Sequence, residues 1–162
     1  MSVKQAQGVV EMKQIICLGS SQGSDRLGWD IAAALERRLA EQGRTDIVLQ
    51  ACATPAHLPG MLADTTALLL IDALAGAPAG TVLRLTPEDL QSVGTVSSHG
   101  VDVVTALELA RALGDLPERV DIVGIGIGDP LCAAGPEPAP GLTVDAVLPE
   151  VWRILIEVLG PL

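Results

Sequence analysis

The chain has 162 residues and a formal net charge of −10, and 49% of it is apolar although it contains no Phe, no Tyr and only two Trp. That length suits one domain with a proper core, while the acidic balance and the lack of aromatic platforms argue against nucleic acid or anionic lipid as a partner. Three widely spaced cysteines (Cys17, Cys52, Cys132) form no CxxC pair, which leaves zinc ribbons and thioredoxin-like chemistry unsupported and makes a reducing cytoplasm the expected location.

Residues 1–12 read as a polar, flexible segment without the apolar stretch of a signal peptide. Lys13–Gly19 follows as a buried strand, with Cys17 as a small core residue. After the loop Ser20–Ser24 a helix is predicted from Arg26 to Gln42. Ile31, Ala34, Leu35 and Leu39 recur there at helical spacing, and Gly43 stops it. Asp46–Ala51 is a second strand. Thr54-Pro55 signals a short helix to Ala63, with Thr54 as cap and Pro55 at the first position.

Ala67–Ala73 is the cleanest buried strand, and it ends in Asp72-Ala73. The apolar stretch 66–75 is too short to span a bilayer, so no membrane insertion is expected. Gly80–Leu85 alternates better than the other strands, which suits a sheet edge, and Thr86–Leu90 is a capped helical turn. Ser97-Ser98-His99 precedes a helix over Val101–Leu113 that Gly114 stops. Val120–Ile127 is the last strand, Gly135–Gly141 a Pro-rich loop, and Thr143–Leu159 a closing helix with a kink point at Pro149.

Strands alternating with helices predict an α/β protein. It is a three-layer α/β/α arrangement with a mostly parallel twisted sheet of about five strands and helices on both faces. Residues 13–162 are expected to form one domain, since no repeat, linker or composition shift divides them. In such sheets ligands sit beyond the carboxyl ends of the strands, and there the candidate residues fall.

Asp25 directly follows the Gly/Ser loop after the first strand, a position that also suits a helix N-cap. Asp72 ends a run of aliphatic residues, so its charge lies at the rim of the core and is costly without a partner or ligand. His99 stands between Ser98 and Gly100 at the head of a helix, whereas His57, in Pro-Ala-His-Leu-Pro, reads as incidental. Two carboxylates and an imidazole on three loops can form an open site for a borderline divalent metal. Trp29 reads as a helix packing residue, with contact to a partner as the alternative, and Arg26 as a partner for Asp25 or for a substrate. The sequence lacks GxGxxG, GxSxG and HExxH motifs, so the usual dinucleotide, serine-hydrolase and zinc-peptidase readings find no anchor.

In order and setting these residues resemble the [NiFe]-hydrogenase maturation proteases. The likeness lies in Ile-Ile-Cys-Leu-Gly-Ser-Ser-Gln-Gly-Ser-Asp25-Arg-Leu-Gly28, in Leu-Leu-Leu-Ile-Asp72-Ala73 and in Ser97-Ser-His99-Gly. The last strand, Asp121–Ile125, and the final helix beginning at Gly141 extend it over residues 13–159. The family's Gly-x-Gly-Asn turn stands here as Gly19-Ser-Ser-Gln, and its Gln-Pro or Glu-Pro after the last strand as Gly126-Ile-Gly128-Asp129.

The resemblance implies an endopeptidase that removes the C-terminal extension of a [NiFe]-hydrogenase large-subunit precursor once nickel has been inserted. Asp25, Asp72 and His99 would contact the nickel held by that substrate, with Asp25 and Asp72 also serving catalysis. A monomer that meets a large partner is expected. Two other classes stay open at this level: a non-catalytic assembly protein of the same fold, and a small-molecule or peptidyl-tRNA-type hydrolase using the Gly19–Gly23 loop.

Overall fold

The computed structural model describes residues 11–19, 26–92, 96–97, 100–129 and 141–161. Its strands are β1 (Met12–Leu18), β2 (Ile47–Cys52), β3 (Thr65–Ala75), β4 (Val82–Leu85), β5 (Val96–Ser97) and β6 (Arg119–Gly128). The helices are α1 (Arg26–Glu41), α2 (Leu58–Met61), α3 (Pro87–Ser92), α4 (Gly100–Leu113) and α5 (Val144–Leu159). A single 3₁₀ turn, Pro55–His57, leads into α2.

The sheet order is β2-β1-β3-β6-β4, with the two-residue β5 paired to β3 outside that path. β2, β1, β3 and β6 are parallel, and β4 lies antiparallel at the edge. The expected α/β/α architecture is present, and the alternating segment Gly80–Leu85 does supply the edge strand. Its Arg84 faces outward and pairs with Asp121 at 2.9 Å and Glu157 at 2.7 Å, a charged edge of the kind that discourages further strand pairing.

β3 reads as a continuous apolar run because both of its faces are covered. Leu69, Ile71, Ala73 and Ala75 pack in one core cluster with Ile31 and Leu35 of α1 and Val151, Ile154 and Leu155 of α5. Leu68, Leu70 and Leu74 pack in the other with Leu58, Leu90 of α3, and Val103 and Leu107 of α4. Each fully buried Leu or Ile contributes roughly 1.5–3 kcal/mol relative to exposure. Cys17 is fully buried in the first cluster, as its apolar neighbours predict.

Three local expectations need correction. The strand predicted to close at Ala73 runs on to Ala75, because Leu74 and Ala75 find partners in β5 and β6. The helix predicted from Pro55 to Ala63 is divided. Pro59 has no N–H to give the Pro55 carbonyl, so the Leu58 N–H takes that carbonyl in a 3₁₀ bond and α2 begins afresh. Thr54 makes no side-chain capping bond. Thr143, by contrast, caps α5 by accepting from the Ala146 N–H at 3.2 Å, and the helix continues through Pro149. Residues 1–10 of the segment read as flexible, the loop Ser20–Ser24 with Asp25, His99, Cys132 and all of Gly135–Gly141 except Gly141 lie outside the described residues; Met12, also read into that segment, opens β1 instead.

Candidate active site at the switch point of the sheet

Asp72 occupies the strand β3 at the point where the sheet order reverses between β1 and β3, the crevice where open α/β sheets bind ligands. β1 pairs with β3 as far as Cys17–Ile71, so Asp72 stands level with the end of β1. Its side chain shares a face with Leu70 and Leu74 and is 3% exposed. One carboxylate oxygen accepts the Ala73 N–H at 2.9 Å. A burial this deep commits the carboxylate to specific partners, since an isolated charge there is heavily penalised.

Two features bring other segments to the same end of the sheet. Gly28, in the first turn of α1, packs so tightly that a Cβ on it would overlap the Leu18 carbonyl at the end of β1. The start of α1 is therefore held directly against the β1 terminus. Gly19 extends that anchorage, donating its N–H to the Cys52 carbonyl of β2 at 3.1 Å. On the other side of the crevice, β5 takes up pairing with β3 where β1 has stopped, with Ser97 opposite Leu74. α4 opens at Gly100. The described neighbours of Asp25 (Arg26) and of His99 (Ser97 and Gly100) thus flank the strand that carries Asp72.

Among the described residues no three His, Cys, Asp or Glu side chains gather as a metal-binding group, and Asp72 is the described member of the predicted trio. Arg26 pairs with Asp30 at 3.6 Å, one helical turn along. Trp29, expected to pack, is instead 36% exposed on the outer side of α1. His57 ends the 3₁₀ turn at the surface. Burial pushes the Cys17 thiol up to about 12 and raises that of Cys52 as well. Both are held as neutral thiols at neutral pH, which removes them as thiolate nucleophiles.

Sequence reasoning missed the glycines. Gly124 of β6 lies directly opposite Asp72, and a Cβ there would overlap Leu74. A Cβ on Gly126 would overlap the Pro78 carbonyl. The spacing Gly124-Ile-Gly126-Ile was the available signal: it puts both glycines on one face and Ile125 and Ile127 on the other, up to the register shift before Gly128.

A buried acid at the switch point of a doubly wound parallel sheet defines the class: an α/β protein with its site at the strand carboxyl ends. The sequence profile of the HycI family, described as hydrogenase maturation protease, matches residues 29–129. The chain belongs to the hydrogenase maturation protease family, a family of peptidases.

Solved structures agree in fold. An endopeptidase from Escherichia coli superposes with a TM-score of 0.68 at 20% identity, covering 91% of this chain and 95% of that one. The [NiFe] hydrogenase maturation protease HycI from Thermococcus kodakarensis KOD1 gives 0.64 at 17% identity, with 94% of each chain covered. The hydrogenase maturating endopeptidase HybD from E. coli gives 0.60 at 19%, covering 89% and 91%. No curated protein matches the sequence. Among the described residues no helix is long and apolar enough to cross a membrane.

Proposed function

We propose that the chain is an endopeptidase that removes the C-terminal extension of a [NiFe]-hydrogenase large-subunit precursor after nickel insertion. Asp25, Asp72 and His99 contact the nickel that the substrate holds. The observation that carries this reading is the burial of Asp72 at the β1/β3 switch point, within a chain of the maturation protease family. The protein works as a cytoplasmic monomer on that large partner, and the exposed Trp29 beside the start of α1 offers it an apolar contact.

The chemistry supports the division of labour. Carboxylate and imidazole donors form a weaker nickel site than thiolates, so such a protease reads the ion without extracting it. An ion at this point assists cleavage by polarising the scissile carbonyl or by lowering the pKa of an attacking water. The carboxylates Asp25 and Asp72 would take up the proton of that water.

The test is incubation with nickel-loaded and nickel-free precursor, followed by the intact mass of the large subunit. Loss of the C-terminal extension only in the nickel-loaded sample is expected. Cleavage without nickel, or cleavage unaffected by Asp72→Ala and His99→Ala, overturns the mechanism. Binding of the precursor with no mass change identifies an assembly protein instead.

A further inference from the structure

Leu74 and Gly124 form a pair whose geometry bears directly on Asp72. Gly124 is the β6 residue opposite Asp72, and it lies on the face of the sheet that carries Asp72, Leu70 and Leu74. The space where a side chain at 124 would stand is filled by Leu74, whose Cγ and Cδ1 lie across the glycine. Leu74 is fully buried. It is also the residue whose backbone pairs with Ser97 of β5, the strand that leads to His99.

We infer that the Leu74–Gly124 pair is a positioning and specificity element for the reading of nickel: an apolar wall on the β6 side of Asp72 that aims its carboxylate into the crevice on the β1 side. The inference rests on the proposed role of Asp72. Its physical basis is packing. The β6 neighbour of Asp72 contributes no side chain, so that flank is filled by one that leans in from two residues along the same strand. A methyl group at 124 takes that space. Leu74 must then swing away from β6, toward the edge on which β5 pairs with it, while Asp72 stands two residues along on the same face of β3. Interiors are packed tightly enough that a single methylene is felt.

The pair also suggests its own compensation. Gly124→Ala adds one carbon and Leu74→Val removes one, so the double variant conserves volume and restores a place for both side chains.

The experiment uses the full chain and a [NiFe]-hydrogenase large-subunit precursor, nickel-loaded or nickel-free. Calorimetry gives the ratio of the two affinities, and thermal unfolding is measured on the same samples. Wild type is expected to prefer the nickel-loaded form, and Asp72→Asn to bring the ratio close to one. Gly124→Ala is expected to cut the preference by about tenfold, the low end of the range for groups that orient a metal ligand. The double variant is expected to recover most of it.

If wild type or Asp72→Asn shows no such pattern, the proposed role of Asp72 fails. If Asp72→Asn loses the preference while a folded Gly124→Ala keeps it, only the present inference falls. Should Gly124→Ala not fold, Leu74→Ala decides: a folded Leu74→Ala with unchanged nickel preference overturns the inference, and a reduced preference upholds it.

Discussion

Gly28 rests on the carbonyl of Leu18, so closely that α1 and the end of β1 leave no room for a side chain between them. In a helix interior Ala is ordinarily better than Gly by about 1 kcal/mol. Here the overlap is with backbone, which cannot step aside as a flexible side chain can. Gly28→Ala is therefore expected to destabilise by about 1–3 kcal/mol in urea unfolding. At Gly60, in α2, the place a Cβ would take has nothing within 4 Å of it, so Gly60→Ala is expected to be neutral or to stabilise by up to about 1 kcal/mol. Equal effects at the two positions would show that the α1–β1 approach does not govern the difference.

Asp72→Asn keeps an oxygen for the Ala73 N–H and removes the charge. The folded protein should persist, with an unfolding midpoint close to wild type. On the role proposed for Asp72, nickel-dependent processing of the large subunit should drop by at least about 100-fold, since the variant loses the carboxylate proposed to contact the ion. Mass spectrometry of the precursor over time measures this, and normal processing by the variant would contradict it.

Pro149 sits inside α5, on its exposed side. It has no N–H for the carbonyl of Asp145, so α5 carries an interrupted ladder one turn beyond its Thr143 cap. Pro149→Ala restores the donor and is expected to stabilise the protein by about 1–3 kcal/mol, read as a rise in the urea midpoint. A loss of stability would mean that the proline is needed to set the direction of the helix.

Acid should weaken one tie between the chain's first βαβ unit and the end of α5. Arg44 donates from Nε and Nη2 to the two oxygens of Asp46, at 2.8 and 2.9 Å, and from Nη1 to the Gly160 carbonyl at 3.1 Å. The hydrogen bonds from Arg44 lower the Asp46 carboxyl from 3.8 to about 2. A depressed folded value gives stability that is present above the unfolded value and lost as pH falls from about 4 to about 2. Asp46 is 44% exposed, so screening keeps the contribution below about 1 kcal/mol. Asp46→Asn should remove that part of the pH dependence, measured by urea unfolding across the same window.

The layers and the central strands were legible because burial on both faces leaves an unbroken aliphatic run, as in Leu68–Ile71, and burial on one face leaves alternation, as in β4. Asp72 was legible as an acid where such a run ends. Its strand length was not, since Leu74 and Ala75 are strand only by virtue of β5 and β6, which lie far along the chain. The same holds for Gly28 and Gly124. Each is small because of a neighbour brought in by tertiary packing, and a single sequence carries no mark of which neighbour that is. Trp29 misled for the opposite reason: helical spacing alone does not say which aromatic a partner would cover. The division of the helix at Pro55–Met61 was open to derivation, because Pro59 cannot complete a bond to Pro55.

The segment from Gly76 to Thr81 lies along β6 through main-chain bonds: Gly76 and Gly80 donate to the carbonyls of Gly128 and Gly126, and Gly128 and Gly126 donate to those of Ala77 and Thr81. Bonds made by amides hold this segment whatever side chains stand at the exposed positions 78 and 79, while at Gly126 the same closeness leaves no room for one. The margin beyond β6 can thus change its exposed chemistry while keeping its contour, without disturbing the neighbouring strand on which Asp72 stands.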